Sequence, residues 1–189
     1  MNETHCQEYL RQTASIAGFL KYREIEDLVA HLIALRNNSG QLYIVGLGGS
    51  AANASHMAAD FRKLCQIDAH SLDNMAEVTA RANDEGFRTI FDGFLSSMQS
   101  RDALFVLSVG GGTLMVSRSL IRAIVKAKEI GAKVFGIVGP NGGYTAEYGD
   151  CVIKIPVKDN PTPHTEAFQA VIWHCLVSHP KLQRIATKW

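Results

Sequence analysis

The 189 residues predict one α/β domain with a parallel sheet of about five strands, flanked by helices and preceded by an N-terminal helical pair. Three observations carry this. Strand-length apolar runs recur along the chain: LYIV(G) at 42–46, ALFVLSV at 103–109, KVFGIVG at 133–139 and CVIKIPV at 151–157, with AHSL near 70 as a weaker one. Segments with helical spacing lie between them. The runs are continuously apolar, as in strands buried on both faces of a parallel sheet.

Taken in order, residues 3–37 contain no proline and read as two helices, with Leu28, Leu32 and Leu35 at helical spacing; NNSG at 37–40 stops the second. The first strand runs into Gly48-Gly49-Ser50 and a helix over about 51–64. Residues 74–83 and 86–99 read as two further helices. The 103–109 strand runs into GGGT and a helix over about 114–131. TEAFQAVIWHCLVSH, 165–179, is a final amphipathic helix.

Composition excludes several classes. The chain is 47% hydrophobic and 20% charged, with a formal net charge of +1. No global field recruits nucleic acid or an anionic membrane, and no apolar run reaches the roughly 20 residues of a membrane span. The polar MNETHCQEYLRQTAS start has no apolar signal core, so a cytoplasmic protein is expected. Cys6, Cys65, Cys151 and Cys175 are scattered without a C-x-x-C pair and are expected as buried thiols in or near the core.

Ligands of open α/β sheets sit at the carboxyl ends of the strands. Two strand ends carry glycine turns, GLGGS (46–50) and SVGGGT (108–113). Glycines admit close backbone approach, the following helix supplies free N–H groups, and Ser50, Ser108 and Thr113 add hydroxyls: a phosphate cradle. Neither turn is followed by G-K-[ST], and GLGGSA departs from G-x-G-x-x-G, which disfavours a nucleotide.

His56 and Asp60 stand four apart on one helical face. Glu166 and His174, eight apart on the last helix, share a face more loosely. Two histidines and two carboxylates suit zinc. The spacing alone equally describes an exposed His–Asp helix pair and a core histidine at 174, and His164 and His179 lie near the same segment.

With these residues in hand, the chain resembles the SIS (sugar isomerase) domain family over nearly its whole length, and within it the phosphoheptose isomerases. The family's first turn reads GNGGS followed by D-A-x-H-x-A-x-E, matched by GLGGSAANASHMAAD; its S-T-S-G-N-S is matched by SVGGGT, its G-N-D-x-G by ANDEGF (82–87), and its last-helix Gln and His by Glu166 and His174. The resemblance implies aldose–ketose isomerisation of sedoheptulose 7-phosphate to D-glycero-D-manno-heptose 7-phosphate through an enediolate. It implies a divalent metal, zinc by preference, held by His56, Asp60, Glu166 and His174. Asp60 falls on the base and His174 on the acid/base. Ser50, Ser108, Gly110 and Thr113 fall on phosphate-binding positions, with Val109 and Gly111 in the same turn. Asp73 and Asn74 fall on a substrate-contacting pair, and Leu47, Gly48 and Gly49 line the first turn. A homotetramer with sites at subunit boundaries is also implied, in keeping with the excess of apolar residues on the first two helices.

The departures are Leu47 for Asn, Val109 and Gly110 for two hydroxyl residues, Asp60 for Glu and Glu166 for Gln. They shift phosphate binding toward backbone N–H groups, shorten the base by one methylene and add charge to the metal set. The other reading is a non-catalytic SIS module that binds a sugar phosphate or bridges protein partners; the four retained ligand types favour the enzyme.

Overall fold

The computed structural model describes residues 3–159 and 161–186. Helices α1 (His5–Phe19) and α2 (Tyr22–Asn37) lead into strand β1 (Leu42–Val45) and helix α3 (Gly49–Asp60). A π-helical turn, Phe61–Cys65, extends α3 before strand β2 (Ala69–Ser71) and helix α4 (Met75–Asp84). Then follow β3 (Ala103–Ser108), α5 (Arg118–Ile130), β4 (Lys133–Val138), α6 (Gly143–Tyr148), β5 (Cys151–Lys154) and α7 (Pro161–Val177). Thr4 starts α1 with a reciprocal cap: its hydroxyl accepts from Gln7 N–H while the Gln7 side chain accepts from Thr4 N–H.

The five strands are parallel in the order β2-β1-β3-β4-β5, with Ile44 beside Phe105 and Phe105 beside Phe135. Successive residues point to opposite faces of the sheet. Leu42, Ile44, Phe105, Leu107, Phe135 and Ile137 pack with Leu28, Leu32, Met57, Phe61, Phe168 and Trp173 in one core layer. Tyr43, Val45, Leu104, Val106 and Val134 pack with Ile90, Phe91, Leu95, Leu120 and Ile124 in the other. Burial on both faces is why the strands read as unbroken apolar runs.

The expected elements return with shifted ends and three differences. Residues 86–99 are not an α-helix. They form a 3₁₀ turn, Phe87–Thr89, followed by turns such as Asp92 N–H to Thr89 C=O and Ser96 N–H to Gly93 C=O. Ile90, Phe91, Leu95 and Met98 still bury at helix-like spacing, but Gly86 and Gly93 weaken the helix itself. The helix expected from 114 begins at Arg118, because Thr113 N–H bonds Val116 C=O in a tight turn and Ser117 is left-handed at φ 60°. Helix α6 has no counterpart among the expected elements; its glycine-rich start, NGGY, reads as a turn. Of the cysteines only Cys65 is buried. Cys151 is half-buried, Cys6 and Cys175 are exposed, and all four are free thiols. Among the described residues no helix is long and apolar enough to cross a membrane.

Candidate active site

From β1 the chain steps outward to β2, then returns to place β3 on the other side of β1. That reversal opens a crevice at the carboxyl ends of β1 and β3, where an open parallel sheet takes its ligand. The two glycine turns follow these two strand ends.

In the first turn Gly48 has φ +58° and Gly49 begins α3. Ser50 is buried, and its Oγ accepts from Gln169 Nε2 at 3.1 Å; Gln169 Oε1 in turn accepts from Asn53 Nδ2 at 2.8 Å. Leu47 is half-buried against the second core layer, so its side chain is spent partly on packing. In the second turn Ser108 is buried and its Oγ accepts from Gly111 N–H at 3.0 Å. The backbone of Gly110 is open, with nothing within 4 Å of where a Cβ would stand. Val109 is half-buried, and Thr113 Oγ1 accepts from Val116 N–H at 3.1 Å. Asp73 accepts from Ser71 Oγ at 3.0 Å beyond β2, and Asn74 caps α4 through Ala76 and Glu77 N–H.

Gly111 differs from Gly110. It is buried at φ +69°, and a Cβ there would run into the Gly142 carbonyl at the start of α6. Its own C=O accepts from Thr145 N–H and Thr145 Oγ1. This glycine therefore seats the turn on α6, and a larger residue at 111 would disturb the fold.

On the neighbouring helices, α3 and α7 bring His56, Asp60 and His174 together with their donor atoms all within 4.8 Å of one another. Asp60 Oδ2 lies 3.5 Å from Nε2 of each histidine. The carboxylate is buried at 7% exposure while both imidazoles reach solvent, His174 at 48% of its side chain, so neither the exposed-pair nor the core-histidine reading describes the site. Asp60 ends α3 where the backbone widens into the π-helical turn, a local distortion common at functional sites. Asp60 meets the two imidazoles and the Trp173 indole N–H, the last at 3.1 Å. One buried carboxylate facing two imidazoles supplies N,N,O donors with open positions, a set that fits zinc.

Glu166 is not in that cluster. Its carboxylate lies over the start of α3, where a Cβ on Gly49 would meet both oxygens within 2.8 Å. His164 and His179 lie elsewhere: His164 is buried, stacked on Tyr9 at 4.2 Å, and His179 is 3.3 Å from Glu26. Trp173, Gln169 and Asn53 escaped the sequence reading. Their only signal was polar capacity on the inner face of the last helix and on α3.

Fold, strand-end glycine turns and ligand cluster together define an α/β domain with a metal-competent triad on α3 and α7. The chain belongs to the SIS domain family, whose pattern matches residues 8–139. The phosphoheptose isomerase of Mycobacterium tuberculosis is 32% identical over 155 residues, 78% of this chain and 76% of that protein. The phosphoheptose isomerase of Aneurinibacillus thermoaerophilus is 30% identical over 182 residues, covering 92% and 89%. The structure of the phosphoheptose isomerase of Neisseria gonorrhoeae superposes with a TM-score of 0.80 over 92% of each chain at 24% identity, a likeness of fold.

Proposed function

We propose that this protein is an isomerase that interconverts the aldose and ketose forms of a phosphorylated sugar, with sedoheptulose 7-phosphate and D-glycero-D-manno-heptose 7-phosphate as the pair. The isomerase class follows from its relatives. The single observation that carries the chemistry is the convergence of His56, Asp60 and His174 on helices α3 and α7.

In this reading the phosphate lies against the second turn. The open backbone at Gly110 and the Ser50, Ser108 and Thr113 hydroxyls line its seat, with Val109 beside them. The sugar runs along the first turn, over Leu47, Gly48 and Gly49, toward the triad, with Asp73 and Asn74 at the side. Zinc held by His56, Asp60 and His174, with Glu166 as the further ligand that the family pattern supplies, would polarise the carbonyl. Asp60 Oδ2 is engaged by Trp173 and the histidines, which leaves Oδ1 to take the proton from the carbon beside the carbonyl. His174, exposed at the rim, moves the proton on the oxygen. Proton transfer by a placed side chain contributes about 10²–10⁴-fold.

We further propose that residues 1–189 form one SIS domain and that four copies assemble into a cytoplasmic homotetramer. Helix α1 buries only Ile16 fully and leaves Leu10 and Phe19 exposed at 65% and 73%, surface that a second subunit would cover. Light scattering checks the assembly; a monomer at micromolar concentration removes it. The activity is tested by screening ketose and aldose phosphates against zinc-loaded protein with product analysis. His56→Ala and His174→Ala, both at half-exposed positions, serve as folded controls expected to hold substoichiometric zinc. Full zinc in either variant, or a wild type that turns over no sugar phosphate, sinks the reading.

A further inference from the structure

We propose that Trp173 is the positioning residue of the His56–Asp60–His174 centre: its indole N–H fixes the Asp60 carboxylate in the orientation that the two histidines share. The inference rests on the metal-assisted reading above and adds to it a residue from outside the ligand set.

One indole touches all three members. Its Nε1 donates to Asp60 Oδ2 at 3.1 Å; its ring meets His56 edge-on at 5.3 Å between centroids and His174 at 4.8 Å. It does so from inside the first core layer, at 2% exposure, packed among Phe61, Phe168 and Leu176. A buried indole N–H needs an acceptor, and a carboxylate is the strongest kind. The bond also solves a problem that Asp60 poses. An aspartate side chain has two torsions, and a donor from a rigid residue fixes the plane of its carboxylate. Trp173 takes one lone pair of Oδ2 from a rigid, buried platform, and the same oxygen lies 3.5 Å from each imidazole Nε2. The indole has no acid–base chemistry at working pH, so its contribution is geometry. Partners of this kind, one bond removed from a metal, change affinity by about 10–100-fold when lost.

Trp173→Phe keeps the aromatic body and deletes the N–H. Zinc affinity, measured by chelator competition on the full chain, is expected to fall about 10–100-fold. In an Asp60→Ala background the same change is expected to cost nothing further, because the route through Asp60 is gone. Should Trp173→Phe fail to fold, the wild type still decides the matter. In ¹⁵N-labelled protein the Trp173 indole N–H resonance, distinguished from Trp189 with Trp189→Phe, is expected to shift on zinc addition. Wild-type zinc affinity in Trp173→Phe, an equal loss with and without Asp60, or an indole resonance indifferent to zinc overturns the proposal alone. A wild type that binds no zinc overturns the metal reading and this one with it.

Discussion

Gln169 Nε2 donates to Ser50 Oγ across 3.1 Å, and both residues are buried. The bond joins the last helix to the first glycine turn, and the Asn53 amide closes the link through Gln169 Oε1. Gln169→Met keeps the volume and takes the donor from the buried Ser50 hydroxyl, while the Asn53 amide keeps the Glu166 carbonyl. An unsatisfied buried group costs about 1–3 kcal/mol, so a loss of that order is expected in urea unfolding. A change below about 0.5 kcal/mol would show that the link carries no stability.

The thiols should separate into two pairs. Burial pushes the Cys65 thiol up to about 12, with Asp60 adding to the rise and Arg36 opposing it. Burial, then Asp27 and Glu24, push Cys151 up to about 11. Only the thiolate attacks an alkylating reagent, so both are inert in the folded protein near pH 8. Iodoacetamide labelling read by mass spectrometry should mark the exposed Cys6 and Cys175 first, and Cys65 and Cys151 only on unfolding. Prompt labelling of Cys65 in the native protein contradicts this.

These residues show where sequence was informative and where it was not. The sheet was legible because doubly covered strands must be apolar throughout, and the crevice because two glycine turns end adjacent strands. His56 and Asp60 were legible as an i,i+4 pair. Their meeting with His174 was an expectation from resemblance that spacing alone left open, since α3 and α7 lie far apart in the chain. Trp173 was invisible as a partner of Asp60, because an indole on an apolar helix face reads as core. The 86–99 segment misled for a related reason: burial at helical spacing does not require helical hydrogen bonds. The widening after Asp60 has no sequence signal that separates it from an ordinary last turn.

Asp150 gives a pH dependence with a definite sign. Burial alone would raise its carboxyl, but the Val134 N–H, Lys133 and Lys128 outweigh it and hold it below the usual carboxylate range. Their bonds to its oxygens are 2.8, 3.0 and 3.1 Å. A group lowered in the folded state stabilises fully above its unfolded value, about pH 3.9, and that stabilisation is lost as pH falls through the folded value. Asp150→Asn should therefore be less stable than wild type at pH 7, with the gap narrowing below about pH 4. Urea midpoints at both pH values check it; a gap that widens in acid reverses the assignment.

Gly110 and Gly111 separate the proposed phosphate seat from its scaffold. At Gly110 there is open space where a Cβ would stand and φ is not in the left-handed region, so Gly110→Ala should fold with stability within about 0.5 kcal/mol of wild type. If the sugar phosphate lies against this backbone, the added methyl stands in its path. Calorimetry with a sugar phosphate should then show affinity falling by tenfold or more, about 1.4 kcal/mol. At Gly111 the same methyl meets the Gly142 carbonyl and the residue must also hold φ +69°. Two costs combine there, left-handed strain and overpacking against backbone, each of order 1–3 kcal/mol. Gly111→Ala should therefore unfold at markedly lower urea, and any loss of binding would follow from the fold. The informative pair is stability against affinity: Gly110→Ala moves affinity alone and Gly111→Ala moves stability first. Unchanged affinity in a folded Gly110→Ala would place the phosphate away from the second turn, and a fully stable Gly111→Ala would mean that the turn does not rest on α6.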